Sequence, residues 1–146
     1  MNKPLDKKPM SVALGVIGGS GAYDLLTNGG LGEKVNTVTL KTPFGDSAPI
    51  HHFRAGILHY LFLSRHGEKD YSITAPFVNY RANIYALKEC GVERIISWSG
   101  PGIINTSFRP GDYVLPSDII DETRNRETTF FKNSGIIMVP NKLGDI

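Results

Sequence analysis

Short, nearly unbroken apolar runs alternate along this chain with glycine-rich or polar breaks. Ser11 to Ile17 is the first run, and it stops at Gly18-Gly19-Ser20-Gly21. Continuous apolarity over so few residues fits a strand buried on both faces of a sheet. Ala22 to Leu26 fits a short helix, broken by Asn28-Gly29-Gly30. Lys34 to Leu40 alternates and predicts a strand, and Thr42-Pro43-Phe44-Gly45-Asp46 predicts a turn. Pro49 to Arg54 and Ile57 to Ser64 predict a hairpin joined by Ala55-Gly56, with the strongly apolar second arm central. From Pro76 the apolar spacing follows a helical period through Cys90, and Gly91 is a natural helix stop. Arg94 to Trp98 is a further buried strand that ends in Ser99-Gly100-Pro101-Gly102. Pro110-Gly111-Asp112 is a turn signal, Tyr113 to Leu115 and Ser117 to Ile120 read as strands, and Asp121 to Lys132 as loop or exposed helix. Ile136 to Val139 is the last apolar run. No internal repeat or low-complexity segment is visible.

Strands alternating with a clear helix predict an α/β fold, and the hairpin makes the sheet mixed. Residues 1–10 read as a solvated tail and 11–146 as one body. The 146 residues contain 40% hydrophobic and 21% charged positions with a net charge of +2, which argues against disorder. So small a positive excess gives no footprint for nucleic acid. Cys90, the single cysteine, excludes a disulfide framework, and its position predicts a small buried hydrophobe at a helix end. No apolar run reaches the ~20 residues a membrane helix needs, and the first residues lack a signal-peptide core, so a cytoplasmic setting is the expectation.

Three apolar strands end in unusual loops: GGSG after the first, Arg65-His66-Gly67 after the hairpin, and Ser99-Gly100 after the last. Ligands of open α/β sheets collect at the carboxyl ends of strands, so the three loops are expected on one rim. GGSG reads either as a plain tight turn or as a place where backbone and hydroxyl approach an anion. It is neither a GxGxxG nor a GxxxxGK[ST]. Arg65 reads either as a strand-end ion pair or as a bidentate phosphate grip, with His66 as a further donor. Ser99 and Gly100 offer a hydroxyl and an unhindered N–H, or again only a turn. His51, His52 and His59 lack the partners and spacing of a zinc site, should point to different faces, and read as surface or satisfied histidines; no metal is expected. Ser20 lacks a nucleophile elbow.

An ordered set of short motifs resembles the N-terminal half of the methylthioadenosine phosphorylase / purine nucleoside phosphorylase family. The set comprises Gly15-Val16-Ile17-Gly18-Gly19-Ser20-Gly21, Thr42-Pro43-Phe44-Gly45, Arg65-His66-Gly67, Val78-Asn79-Tyr80-Arg81-Ala82-Asn83-Ile84 with Ala86-Leu87-Lys88, and Pro110-Gly111-Asp112 followed by Asp118-Ile119-Ile120-Asp121. The resemblance implies a mixed, three-layer-like twisted sheet with flanking helices. It implies phosphorolysis of a purine nucleoside, 5'-methylthioadenosine or a relative, to the free purine and a ribose 1-phosphate or its methylthio analogue. Inorganic phosphate would be the co-substrate, with no other cofactor. Ser20, Arg65, His66, Ser99 and Gly100 would bind phosphate, and Pro101 and Gly102 would lie beside the nucleoside. A homotrimer with sites near subunit boundaries is also implied.

The sequence departs from that pattern in three places. Pro101 stands in a stretch where relatives run through small residues toward Gly-Ser-Leu, and Asp70-Tyr71 where relatives usually carry a histidine. Family members are longer, and by the resemblance their second half supplies a purine-contacting Asp, a ribose-contacting Met and another phosphate-contacting Thr. Residues 11–146 are thus expected to be the N-terminal half of one phosphorylase domain, incomplete at its C-terminus. A fragment, a separate chain carrying the other half, and a truncated non-catalytic member that binds phosphate, nucleoside or a partner all fit. A hydrolase-like relative is a further alternative.

Overall fold

The apolar segment LHYLFLS forms the middle of a five-stranded sheet in a computed structural model of the chain, which describes residues 12–19, 21–68, 72–127 and 129–131. In chain order the strands are β1 (Leu14–Gly18), β2 (Glu33–Val38), β3 (Lys41–Thr42), β4 (Gly45–Asp46), β5 (Ile50–Ala55), β6 (Leu58–Ser64) and β7 (Arg94–Trp98). The helices are α1 (Ala22–Thr27) and α2 (Tyr80–Glu89). The sheet runs β2-β5-β6-β1-β7; β1 is parallel to both β6 and β7, while β5 is antiparallel to β2 and β6. It is therefore mixed, as expected. β3 and β4 form a separate small hairpin around the TPFG turn.

Alternation along β6 feeds two cores. Leu61 and Leu63 join Ile50, Ala86, Leu87 and Cys90 on the α2 face. Tyr60 and Phe62 join Phe53 and Ala22 on the α1 face, with Leu14, Val16 and Trp98 packed against them. Period-two side chains thus bury both faces, the three-layer arrangement that unbroken apolar strands predict. Gly15 and Gly18 let this packing close. A Cβ on Gly18 would sit 2.4 Å from the Ala22 Cβ, and one on Gly15 would sit 3.0 Å from Val92.

Three local expectations are corrected. The hairpin turn is Gly56-Ile57, one residue later than expected, because Ala55 pairs with Leu58 and the positive φ falls on Gly56. The helix begins at Tyr80, not Pro76. Residues Ala75–Phe77 make a separate 3-10 turn, and Asn79 caps α2 by accepting from the Ala82 N–H at 3.2 Å. Tyr113–Leu115 and Ser117–Ile120 form no strand; their hydrophobics are exposed and no ladder partner is present among the described residues. Ile136–Val139 lies outside the described residues.

The chain divides into two compact units, Met1–Gly100 and Pro101–Ile146. Within the second, Arg109-Pro110-Gly111-Asp112 forms the anticipated turn. The Asp112 N–H donates to the Arg109 carbonyl at 3.1 Å, and Gly111 has φ 97°, the type II signature. Its described residues form neither helix nor strand.

Candidate functional site

Strand register brings the first unit's three loops to one edge. Gly18 of β1 is level with Ser64 of β6 on one side and Trp98 of β7 on the other, and all three strands run the same way. Gly19, Arg65 and Ser99 therefore leave the sheet side by side. Two backbone bonds extend the ladder beyond the strands: the Gly19 N–H donates to the Trp98 carbonyl at 2.7 Å, and the Arg65 N–H to the Gly18 carbonyl at 3.1 Å. The Gly19 N–H is thus consumed by the sheet, and what the rim offers a ligand here is side chains.

Those side chains converge over Gly19. A Cβ on Gly19 would lie 2.6 Å from Arg65 Nη2 and 2.8 Å from the Ser99 Cβ. At such distances a side chain here would push the guanidinium and Ser99 aside, so glycine is what lets them meet above bare backbone. The sequence places Gly19 in a loop that reads as a tight turn or as an approach to an anion, and says nothing of Arg65 above it. Its role depends on a residue 46 positions later, which no local pattern encodes. Ser20 lies outside the described residues. Gly100 follows Ser99 and is exposed, and Pro101 and Gly102, also exposed, open the second unit.

His66 stands behind Arg65. Its Nδ1 donates to the Ile73 carbonyl at 2.9 Å, which leaves Nε2 as the acceptor for Arg65 Nε at 3.1 Å. In this arrangement the imidazole touches the rim through Arg65: it fixes Nε and turns the Nη groups toward Gly19 and Ser99. The loop is pinned again where Ser64 Oγ donates to the Gly67 carbonyl at 2.7 Å, and where the Ile73 N–H donates to the His66 carbonyl. A further tie comes from Glu68, which accepts from His51 Nε2, while the Thr37 hydroxyl bonds His51 Nδ1 at 2.8 Å. His51 is buried, so it is one of the satisfied histidines expected. The Thr37–His51–Glu68 chain was not legible, because it links β2, β5 and the loop after β6.

In the Asn79-Tyr80-Arg81 motif, Asn79 and Arg81 make contacts that hold the fold. Besides capping α2, Asn79 donates through Nδ2 to the Phe44 carbonyl at 2.8 Å. The Arg81 guanidinium lies 5.1 Å from the Phe44 ring centre, and Asn83 accepts from the Ala48 N–H at 2.8 Å. The TPFG hairpin and α2 are thus clamped together.

One expectation about the histidines fails. His51 and His52 do face opposite sides of β5, but His59 shares the His52 side: His52 Nε2 and His59 Nδ1 are 2.9 Å apart. Antiparallel pairing of β5 with β6 accounts for it, since Arg54 is level with His59 and His52 lies two residues along the same face.

These features define a class first: an α/β protein with a donor-rich rim at the carboxyl ends of three parallel strands. The Phosphorylase superfamily profile matches residues 13–144, and the chain belongs to that family. It is 43% identical over 118 residues to the 6-oxopurine nucleoside phosphorylase of Pyrococcus furiosus, covering 81% of this chain and 42% of that protein. It is also 43% identical over 128 residues to the S-methyl-5'-thioadenosine phosphorylase of Geobacter sulfurreducens, covering 85% and 42%. The methylthioadenosine phosphorylase of Schistosoma mansoni in complex with adenine superposes with a TM-score of 0.73 at 34% identity, covering 91% of this chain and 45% of that one. The expected family and fold are borne out. The chain spans less than half the length of these relatives.

Proposed function

We propose that this chain supplies the phosphate-binding half of a purine nucleoside phosphorylase acting on 5'-methylthioadenosine or a related nucleoside. The observation that carries the reading is the convergence of the Arg65 guanidinium and Ser99 over the bare backbone of Gly19. Arg65 grips two oxygens of inorganic phosphate in its fork. Ser20 and Ser99 hydroxyls and the Gly100 N–H complete the cradle, and His66 acts on the anion through Arg65. Pro101 and Gly102 border the nucleoside. Relatives named for 6-oxopurine nucleosides and for methylthioadenosine match about equally well, which supports a purine nucleoside as the substrate class.

The reaction asks little covalent work of the protein. The glycosidic C–N bond breaks and its electron pair leaves with the purine. The ribose passes through an oxocarbenium-like state, and a phosphate oxygen forms the new bond at the anomeric carbon. Positioning the dianion beside that developing cation contributes both proximity and electrostatic stabilisation. Inorganic phosphate is the co-substrate, and no other cofactor enters. The leaving purine needs an acid from the other half of the domain, carried on a longer chain or a separate polypeptide. The near-complete exposure of Ile104, Tyr113, Leu115 and Ile120 supports a covering surface of that kind. A cytoplasmic homotrimer in purine salvage is the matching setting.

A second reading is a non-catalytic member that binds phosphate or nucleoside without turnover. Intact mass followed by a phosphate-dependent assay with methylthioadenosine, adenosine and inosine separates the two. Purine release that requires phosphate supports the phosphorylase, phosphate binding without release supports the second reading, and release independent of phosphate points to a hydrolase and overturns both.

A further inference from the structure

The β5–β6 hairpin carries a pair of imidazoles that the phosphorylase reading does not use. His52 and His59 lie on one face of the sheet, fixed by the register that sets Asn36 level with His52 and Arg54 level with His59. His52 is half-buried and His59 exposed, so their shared edge opens to solvent. Nε2 of His52 faces Nδ1 of His59 at 2.9 Å, with the ring centres 5.1 Å apart and the planes tilted by 48°. The Arg54 guanidinium beside them is paired with Glu33 at 2.5 Å, which offsets its positive charge.

We propose that His52 and His59 form a surface chelate for a divalent transition-metal ion that prefers tetragonal coordination, Cu2+ or Ni2+. Metal–imidazole bonds run about 2.0–2.1 Å; two at a right angle place their nitrogens about 2.9 Å apart, and two at a tetrahedral angle about 3.3 Å. The observed spacing is that of a ring-to-ring hydrogen bond; rotating the rings outward at little change in that spacing reaches the right-angled bite, and imidazole nitrogen suits these ions. The rings point almost straight at each other, so binding tilts both outward, and their exposed edge leaves room for that. The proton between them is displaced as the tautomers shift, which puts N–H on His52 Nδ1 and His59 Nε2 and frees both facing lone pairs. Among the described residues no three His, Cys, Asp or Glu side chains gather, so water fills the remaining positions. An ion bridging β5 and β6 also staples the hairpin, which couples binding to stability.

The test is a titration of the untagged protein with Cu2+, followed by visible absorption and electron paramagnetic resonance. One ion per chain with a two-nitrogen signature is expected, and His59→Gln weakens uptake at least tenfold. Ni2+ raises the thermal midpoint of the parent protein and leaves that of His59→Gln unchanged. Circular dichroism checks that the variant is folded, and His52→Gln serves as the second variant. Absence of stoichiometric Cu2+ uptake, or equal uptake by parent and folded variants, overturns the proposal. Neither result bears on phosphate, which Arg65 would hold at a different edge of the sheet.

Discussion

Gly19 shows how one missing carbon shapes the rim. Its φ lies outside the left-handed region, so alanine fits the backbone there, but the added Cβ would meet Arg65 Nη2 and the Ser99 Cβ. Gly19→Ala is predicted to lower phosphate affinity at least tenfold while moving the thermal midpoint little, as read by paired phosphate titration and thermal melts. Cys90 illustrates the opposite case, a residue whose meaning is burial. Desolvation, with Glu89 beside it, pushes its thiol above the ordinary range. Burial raises the Tyr60 phenol as well, and its hydroxyl donates to the Leu31 carbonyl. Both groups are held protonated by the fold. Their contribution is therefore intact below the unfolded values of about 8.5 and 10, and is lost as pH climbs through the raised folded values. The urea midpoint should stay level from pH 7 to 8 and fall toward pH 10. Alkylation of Cys90 should be far slower in the folded than in the denatured chain.

At the scale of elements, boundaries follow capping chemistry more than periodicity. The helical period is visible from Pro76, yet the chain turns at Val78 and restarts because Asn79 caps α2 with one atom and holds the Phe44 carbonyl with another. Asn79→Ala removes both bonds. A lost cap typically costs about 1–2 kcal/mol, measurable by urea denaturation. The buried strands were readable because apolar runs of that length have few alternatives, and β6 took the central place its composition predicts. Tyr113–Leu115 and Ser117–Ile120 misled for the same reason: their composition suits a strand, but a strand also needs a ladder partner. Composition can nominate an edge; it cannot supply the neighbour.

For the whole molecule, register decides what becomes a site. The three loops could be named from sequence because each follows an apolar run. Their meeting depends on β1 lying parallel between β6 and β7, with Gly18 level with Ser64 and Trp98. Arg65 was legible as a chemical group, whereas its placement by His66, and the tie of that loop to Thr37 through His51 and Glu68, were not. Those contacts join residues far apart in the chain, and only the assembled sheet brings them within reach. The phosphate site proposed above is this rim, built around Arg65. Titration of the protein and of Arg65→Ala with inorganic phosphate, followed by calorimetry, tests it most directly. Saturable binding is expected, and Arg65→Ala should weaken it at least tenfold in a folded variant. Phosphate affinity that is absent in the parent, or unchanged by Arg65→Ala, would contradict it.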